Sequence, residues 1–97
     1  MAKKLESKER NKILKTLKYW KKTRGRDSIE KNFIFKDFTS AFSWMTKIAL
    51  IAEKMDHHPE WSNVYSTVNV RLTTHDQNGI TRLDVALADV MEELAGG

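Results

Sequence analysis

The chain contains no cysteine. A disulfide framework and thiolate chemistry are therefore excluded, and a reducing compartment is compatible with it. Proline occurs once, at Pro59, and two of the four glycines are the terminal Gly96 and Gly97. There is no Pro/Gly-rich linker and no internal repeat, so residues 1–97 read as one domain. No apolar run reaches the roughly 18 residues of a membrane span. The first six residues have no apolar core behind their lysines, so no secretory signal is read there and a cytoplasmic location is expected.

What is present is ordinary for a globular chain: 40% apolar and 31% charged residues, which argues against disorder. A domain this small buries a modest core, and oligomerisation is expected to help it. The net charge of +4 hides an asymmetry. Residues 1–26 carry eleven Lys or Arg against two Glu, a net of +9, and the remainder carries six basic and eleven acidic groups, a net of −5. A basic N-terminal third suits either a solvated helix face or contact with nucleic acid or an acidic partner. No helix-turn-helix, zinc-finger or RNP pattern accompanies it, so direct nucleic-acid binding is not expected.

Ser7 is a candidate cap for a helix over about residues 8–18, with Ile13, Leu14 and Leu17 as its stripe. Tyr19-Trp20 can open a short strand, and Arg24-Gly25-Arg26-Asp27 reads as a turn. Ile29, Lys31, Phe33 and Phe35 then alternate with Glu30, Asn32, Ile34 and Lys36, a period of two that predicts a strand and a hairpin. Asp37 or Thr39 can cap a long helix over 39–55. Phe38, Phe42, Met45, Ala49 and Ala52 form one apolar stripe on it, and Trp44, Ile48, Ile51 and Met55 a second. A surface helix needs one stripe, so one is expected on the sheet and the other on a partner subunit.

The helix is expected to stop at Asp56-His57-His58-Pro59, because proline disfavours helix in the residue before it. Val64 and Tyr65 are read as the start of extended structure. Val68, Val70 and Leu72 alternate with Asn69, Arg71 and Thr73 as a half-buried strand. Asp76-Gln77-Asn78-Gly79 is a turn. A last helix over 81–94 takes Thr81 as cap and Leu83, Leu87, Val90, Met91 and Leu94 as its face. The order predicts an α+β fold with an antiparallel sheet and helices on one face.

All three histidines fall in one interval: His57, His58 and His75. They sit at element ends, where catalytic groups gather, and imidazole suits proton transfer near neutral pH. Glu53, Asp56, Glu60, Asp76 and Asp84 are close enough in sequence to orient them. Three histidines with carboxylates can also form a metal site, but no His-x-x-x-His spacing places two on one helix face. Trp61 and Tyr65 offer aromatic faces to a planar ligand or, equally, side chains to the core.

The stretch Glu53-Lys54-Met55-Asp56-His57-His58-Pro59-Glu60-Trp61, then Asn63-Val64-Tyr65, Thr73-Thr74-His75 and Asp84, resembles the pterin-4a-carbinolamine dehydratase family. Gly25-Arg26-Asp27 and Phe33-Ile34-Phe35-Lys36-Asp37-Phe38 extend the likeness over most of the chain. The resemblance implies a two-layer α+β fold, a four-stranded antiparallel sheet with three helices on one face. It implies dehydration of 4a-hydroxytetrahydropterin to quinonoid dihydropterin, in tetrahydrobiopterin recycling, without metal or organic cofactor. By the same resemblance His57, His58 and His75 are catalytic, and Glu53, Asp56, Pro59, Trp61, Thr73 and Asp84 orient or line the pterin site. From its second apolar stripe, a homodimer or homotetramer through helix 39–55 is expected. The family's coactivator role implies a homeodomain-type transcription factor as a second partner, with a nuclear as well as a cytoplasmic location. One position departs from the vertebrate pattern: the residue before Asp84 is Leu83 instead of a basic one, and Arg82 stands one step earlier.

Overall fold

The computed structural model describes residues 2–96. Its elements are α1 (Ser7–Leu14), β1 (Lys21–Lys22), β2 (Ile29–Ile34), α2 (Phe38–Met55), β3 (Glu60–Val64), β4 (Thr67–Leu72), a single 3-10 turn at His75–Gln77, and α3 (Arg82–Leu94). The sheet runs β1-β2-β4-β3, every pair antiparallel. This is the α+β fold the element order predicts, with three helices and an open four-stranded sheet.

Alternation sorts the sheet into two faces. Ile29 and Phe33 of β2 and Val68, Val70 and Leu72 of β4 are buried, and the ladder sets Ile29 against Leu72 and Phe33 against Val68. The other face carries Glu30, Asn32, Asn69 and Arg71, where Asn69 donates to Asn32 at 2.6 Å. Onto the apolar face α2 lays Ala41, Trp44, Ile48 and Ala52, and α3 lays Leu87, Ala88 and Met91. Trp44 anchors this layer. Its ring centroid lies 4.6 Å from Phe33, 5.1 Å from Phe35 and 6.2 Å from Trp61, and its indole N–H donates to the Met91 carbonyl at 3.1 Å. The stripe through Trp44 and Ile48 thus meets the sheet. Phe38, Phe42 and Ala49 face outward, with Phe42 56% exposed.

Four boundaries differ from expectation, each for a local reason. The first helix ends at Leu14, four residues early, and Glu6, not Ser7, stands at its start without a side-chain cap bond. Beyond Leu14 the chain tightens into i→i−3 bonds, Thr16 to Ile13 and Leu17 to Leu14, and these turn Leu17 and Trp20 into the core. Tyr19 takes a left-handed φ of 69°, so the short strand begins at Lys21 rather than at Tyr19-Trp20. β2 stops at Ile34, before Phe35 and Lys36, because Asp37 opens the next helix by accepting from the Ser40 amide at 2.7 Å. That bond holds the Asp37 carboxyl below the usual carboxylate range.

The fourth is β3, which runs from Glu60 to Val64, ahead of where extended structure was expected to start. Tyr65-Ser66 is the hairpin turn, with Tyr65 at φ 52°. Periodicity conceals this strand: polar Asn63 shares the inner face with Trp61, while apolar Val64 points outward and is 77% exposed. Asn63 serves the turn instead, donating to the carbonyls of Tyr65 and Thr67.

The N-terminal segment ties to the rest through Leu5, whose amide donates to the Ile80 carbonyl at 2.8 Å. Asp27 braces the same corner by accepting from Arg10 at 2.8 Å and from the Ile80 amide at 3.3 Å. Gly79 permits that approach, since a Cβ there would collide with the Asp27 carboxylate and the Lys4 chain. Among the described residues no helix is long and apolar enough to cross a membrane. Trp44→Ala removes the shared ring of three aromatic contacts. It is expected to lower unfolding free energy by about 3–5 kcal/mol, read from urea denaturation curves.

Candidate active site

The ladder sets Glu60 opposite Arg71 and Ile29 opposite Leu72, so three chain segments converge at one end of the sheet. These are the β1–β2 loop before Ile29, the α2–β3 connection and the exit from β4. Each supplies functional side chains.

His57 comes from the end of α2. Asp56 takes a left-handed φ of 53°, and the His57 amide bonds back to the Ala52 carbonyl at 3.0 Å, a helix end of the Schellman type. The turn sends His57 inward, 7% exposed, and His58 outward. Pro59 is half-buried and follows directly.

His57 Nε2 lies 2.6 Å from Asp84 Oδ1, and Asp84 is fully buried. Asp84 Oδ2 accepts from the Thr81 amide and from the Thr74 hydroxyl, both at 2.9 Å. Donation from Thr74 to Asp84 orients the rest of the chain: Thr81 donates its hydroxyl to Thr74 at 2.6 Å and accepts from the Leu83 amide at 3.2 Å. With two donors on Oδ2, Asp84 acts as acceptor toward His57 as well. The network therefore assigns His57 the Nε2-protonated tautomer and leaves Nδ1 without a protein partner among the described residues.

The other two imidazoles repeat the pairing in wetter settings. His75 Nε2 lies 2.7 Å from Glu60 Oε2, and Arg26 grips the same carboxylate with both terminal nitrogens, at 2.7 and 2.5 Å. Arg26 above all, and then His75, push the Glu60 carboxyl down to about 2. The same contact raises the Arg26 guanidinium above its ordinary value. His58 Nε2 meets Glu53 Oε1 at 2.7 Å on the surface.

His57, His58 and His75 line one cavity of about 420 Å³ with Met55, Asp56, Thr74, Asp76 and Leu83, a size suited to a small planar ligand. Of the other residues singled out in the sequence, Asp84 stands behind His57 and Glu53 beside His58. Trp61 lies outside the lining, its ring tilted against Trp44. Thr73 is also outside it, its hydroxyl donating to the Asp27 carbonyl at 2.9 Å. Tyr65 sits at the opposite end of β3. Arg82 pairs with Glu9 of α1, and Leu83 takes a place in the pocket wall. Sequence reasoning left out Thr74, Met55 and Leu83 from the lining and Arg26 from the network, and it named Asp76 only as a carboxylate able to orient the histidines. Thr74 directly precedes His75, which was the available signal. Arg26 lies 34 residues from Glu60 and has no local signal. Among the described residues no group of three or more His, Asp or Glu side chains is disposed to hold a metal ion.

Three carboxylate-paired imidazoles around one small pocket make this end of the α+β fold the candidate active site. The family model for pterin 4 alpha carbinolamine dehydratase matches residues 3–94. A protein of Jannaschia sp. strain CCS1, named as a pterin-4-alpha-carbinolamine dehydratase, is 56% identical over 98% of this chain and 99% of its own. One of the same name from Rhodopseudomonas palustris strain HaA2 is 51% identical over 99% of this chain and 95% of its own. The crystal structure of a transcriptional coactivator/pterin dehydratase from Brucella melitensis superposes with a TM-score of 0.94 at 48% identity, covering 96% of this chain and 99% of that one. The chain belongs to the pterin-4a-carbinolamine dehydratase family and is a hydro-lyase.

The Glu60 geometry sets a pH dependence. A carboxyl that is a stronger acid folded than unfolded stabilises fully above its ordinary value of 4.5, and that stabilisation is lost as pH falls through about 2. The Glu60 side chain is 35% exposed, so solvent screening limits the effect to about 1 kcal/mol or less. Glu60→Gln is expected to be less stable than the parent at pH 7 by up to that amount. In urea titrations at stepped pH the gap should close between 4.5 and about 2.

Proposed function

We propose that the pocket dehydrates a 4a-hydroxytetrahydropterin to quinonoid dihydropterin and water by histidine acid–base catalysis, in the recycling of tetrahydrobiopterin. The observation that carries this reading is the gathering of three imidazoles, each paired to its own carboxylate, on one pocket of a dehydratase-family chain. The reaction breaks the C4a–O bond as the hydroxyl accepts a proton and leaves as water. It also breaks the N5–H bond, whose electron pair becomes the N5=C4a double bond while the proton passes to a base. One protonated and one neutral imidazole meet both needs, and the proton gained at N5 restores the one spent on the hydroxyl.

His57 and His75 take these two roles. His58, on the surface, exchanges protons with solvent. Asp84 and Glu53 position His57 and His58. Asp56, Thr74 and Asp76 offer polar contacts to the pterin edge, Met55 and Leu83 offer apolar walls to its rings, and Pro59 stiffens the chain between His58 and Glu60. Trp61 and Thr73 support the site from outside the lining.

A second surface suits association. Phe38 and Phe42, with ring centroids 5.8 Å apart, are 48% and 56% exposed on α2, in line with half-buried Met45. An exposed aromatic pair on a helix of a small domain favours burial against another chain. This face joins copies into a homodimer or homotetramer in the cytoplasm. The Brucella neighbour's description as a coactivator supports a second use, a homeodomain-type transcription factor as partner in the nucleus.

In a stopped-flow assay with 4a-hydroxytetrahydropterin generated in situ by an aromatic amino acid hydroxylase, the protein should accelerate dehydration. His57→Ala and His75→Ala should each lose about 10²–10⁴-fold in kcat. A folded protein that leaves the spontaneous rate unchanged would defeat the reading. Phe42→Glu is expected to lower the sedimenting mass toward that of one chain. An unchanged mass would remove α2 as the interface.

A further inference from the structure

We infer that the Arg26–Glu60 pair is the positioning device of His75: the guanidinium clamps the carboxylate in one pose, and the carboxylate holds the His75 ring on Nε2 so that Nδ1 is the nitrogen offered to the pocket. This deepens the dehydratase reading, on which it rests in so far as His75 acts on substrate.

The geometry makes the case. His75 lies in a single 3-10 turn after β4 and is 64% exposed, so neither backbone nor packing holds its ring. An unrestrained surface imidazole populates both tautomers and several ring orientations, and a catalytic group displaced by about 1 Å costs on the order of 100-fold in rate. Glu60 supplies the restraint at 2.7 Å from Nε2. A lone glutamate at the start of an edge strand would itself be mobile. Arg26 removes that freedom with two parallel bonds, the fork geometry that fixes a carboxylate plane.

Arg26 is held in turn. Lys22 donates to its carbonyl at 3.0 Å, the Ser28 amide does so as well at 3.0 Å, and the adjoining Asp27 is braced by Arg10. The cluster thus runs from the β1–β2 loop to the first residue of β3 and on to the segment after β4. Because Arg26 keeps Glu60 ionised far below neutral pH, Glu60 accepts and Nε2 donates. The other charged or titratable groups facing His75 are Asp56, His57, His58 and Asp76, which share its pocket. None of them bonds its ring. The arrangement parallels His57 and Asp84, with a solvent-side arginine replacing burial as the source of rigidity.

Two variants separate positioning from a merely structural ion pair. Glu60→Ala removes the acceptor. The double variant Arg26→Glu/Glu60→Arg restores the ion pair in reverse, but puts a donor-only side chain beside Nε2. Two-bond ¹H–¹⁵N spectra of histidine-labelled protein report the His75 tautomer without reference to turnover. In the parent, His75 should show a single Nε2-protonated form. In Glu60→Ala it should become a tautomer mixture and in the reversed pair it should shift toward the Nδ1-protonated form, with kcat lowered about 10- to 100-fold in both and KM within about twofold. The reversed pair should recover thermal stability and no activity. Recovery of kcat by the reversed pair, or an unchanged His75 spectrum in Glu60→Ala, would overturn the inference. A parent protein without dehydratase activity would sink the reading of the pocket, while the spectra would still decide whether the pair positions His75.

Discussion

One buried carboxylate organises the pocket end of this fold. Asp84 is fully buried and surrounded by donors: the Thr81 amide, the Thr74 hydroxyl and His57 Nε2. A carboxylate without such partners would be prohibitive inside a protein. Here each partner is also a structural joint. The Thr81 bond closes the capping box that starts α3, the Thr74 bond ties in the exit from β4, and the His57 bond ties in the end of α2. The end of α2 is thereby pinned to the exit from β4 and the start of α3 at the point where the pocket opens. Folding stability and imidazole placement therefore depend on the same bonds, and the site is set when the core forms.

The three imidazole–carboxylate pairs differ chiefly in their contact with water. His57 and Asp84 are 7% and 0% exposed, His75 and Glu60 64% and 35%, His58 and Glu53 55% and 80%. Electrostatic coupling strengthens as solvent is excluded, so His57 is the most firmly held and His58 the least. Under the proposed dehydration, which both delivers and removes a proton, such a spread in exposure would serve different tasks. Groups that must hold the substrate atoms in register benefit from restraint, and a group that returns protons to bulk water benefits from exposure. The His75 ring is the most exposed of the three, but its carboxylate is partly shielded, and Arg26 gives the pair order that burial does not.

Much of this was legible in the sequence wherever period and punctuation agree. The alternation from Ile29 to Phe33 and from Val68 to Leu72, and the caps at Asp37 and Thr81, appear where they were expected. The interval holding the three histidines does form one pocket. What was hidden has a physical cause in each case. β3 breaks the alternation because Asn63 serves its hairpin turn and Val64 faces solvent. The first helix stops early because Leu17 and Trp20 reach the core only from a tighter turn. Trp61 lies against Trp44, a choice between core and ligand that spacing leaves open. Arg26 and Glu60 meet only through the tertiary fold, so local patterning holds no trace of their contact.

The long helix α2 links the two surfaces of the molecule and also keeps them apart. Its C-terminal end delivers His57 to the pocket, while Phe38 and Phe42 lie in its first turns. From Phe42 to Met55 the helix rises about 20 Å at 1.5 Å per residue. Between them the buried stripe of Trp44, Ile48 and Ala52 is locked to the sheet and to α3. A chain docking on the exposed aromatic pair meets a rigid rod whose far end is already pinned by the Schellman-type turn and by Asp84. Its binding energy has no soft element through which to move the histidines. The proposed catalysis and the proposed association could therefore coexist on one small domain without either dictating the other, because the packed helix between the pocket and the aromatic pair would transmit little.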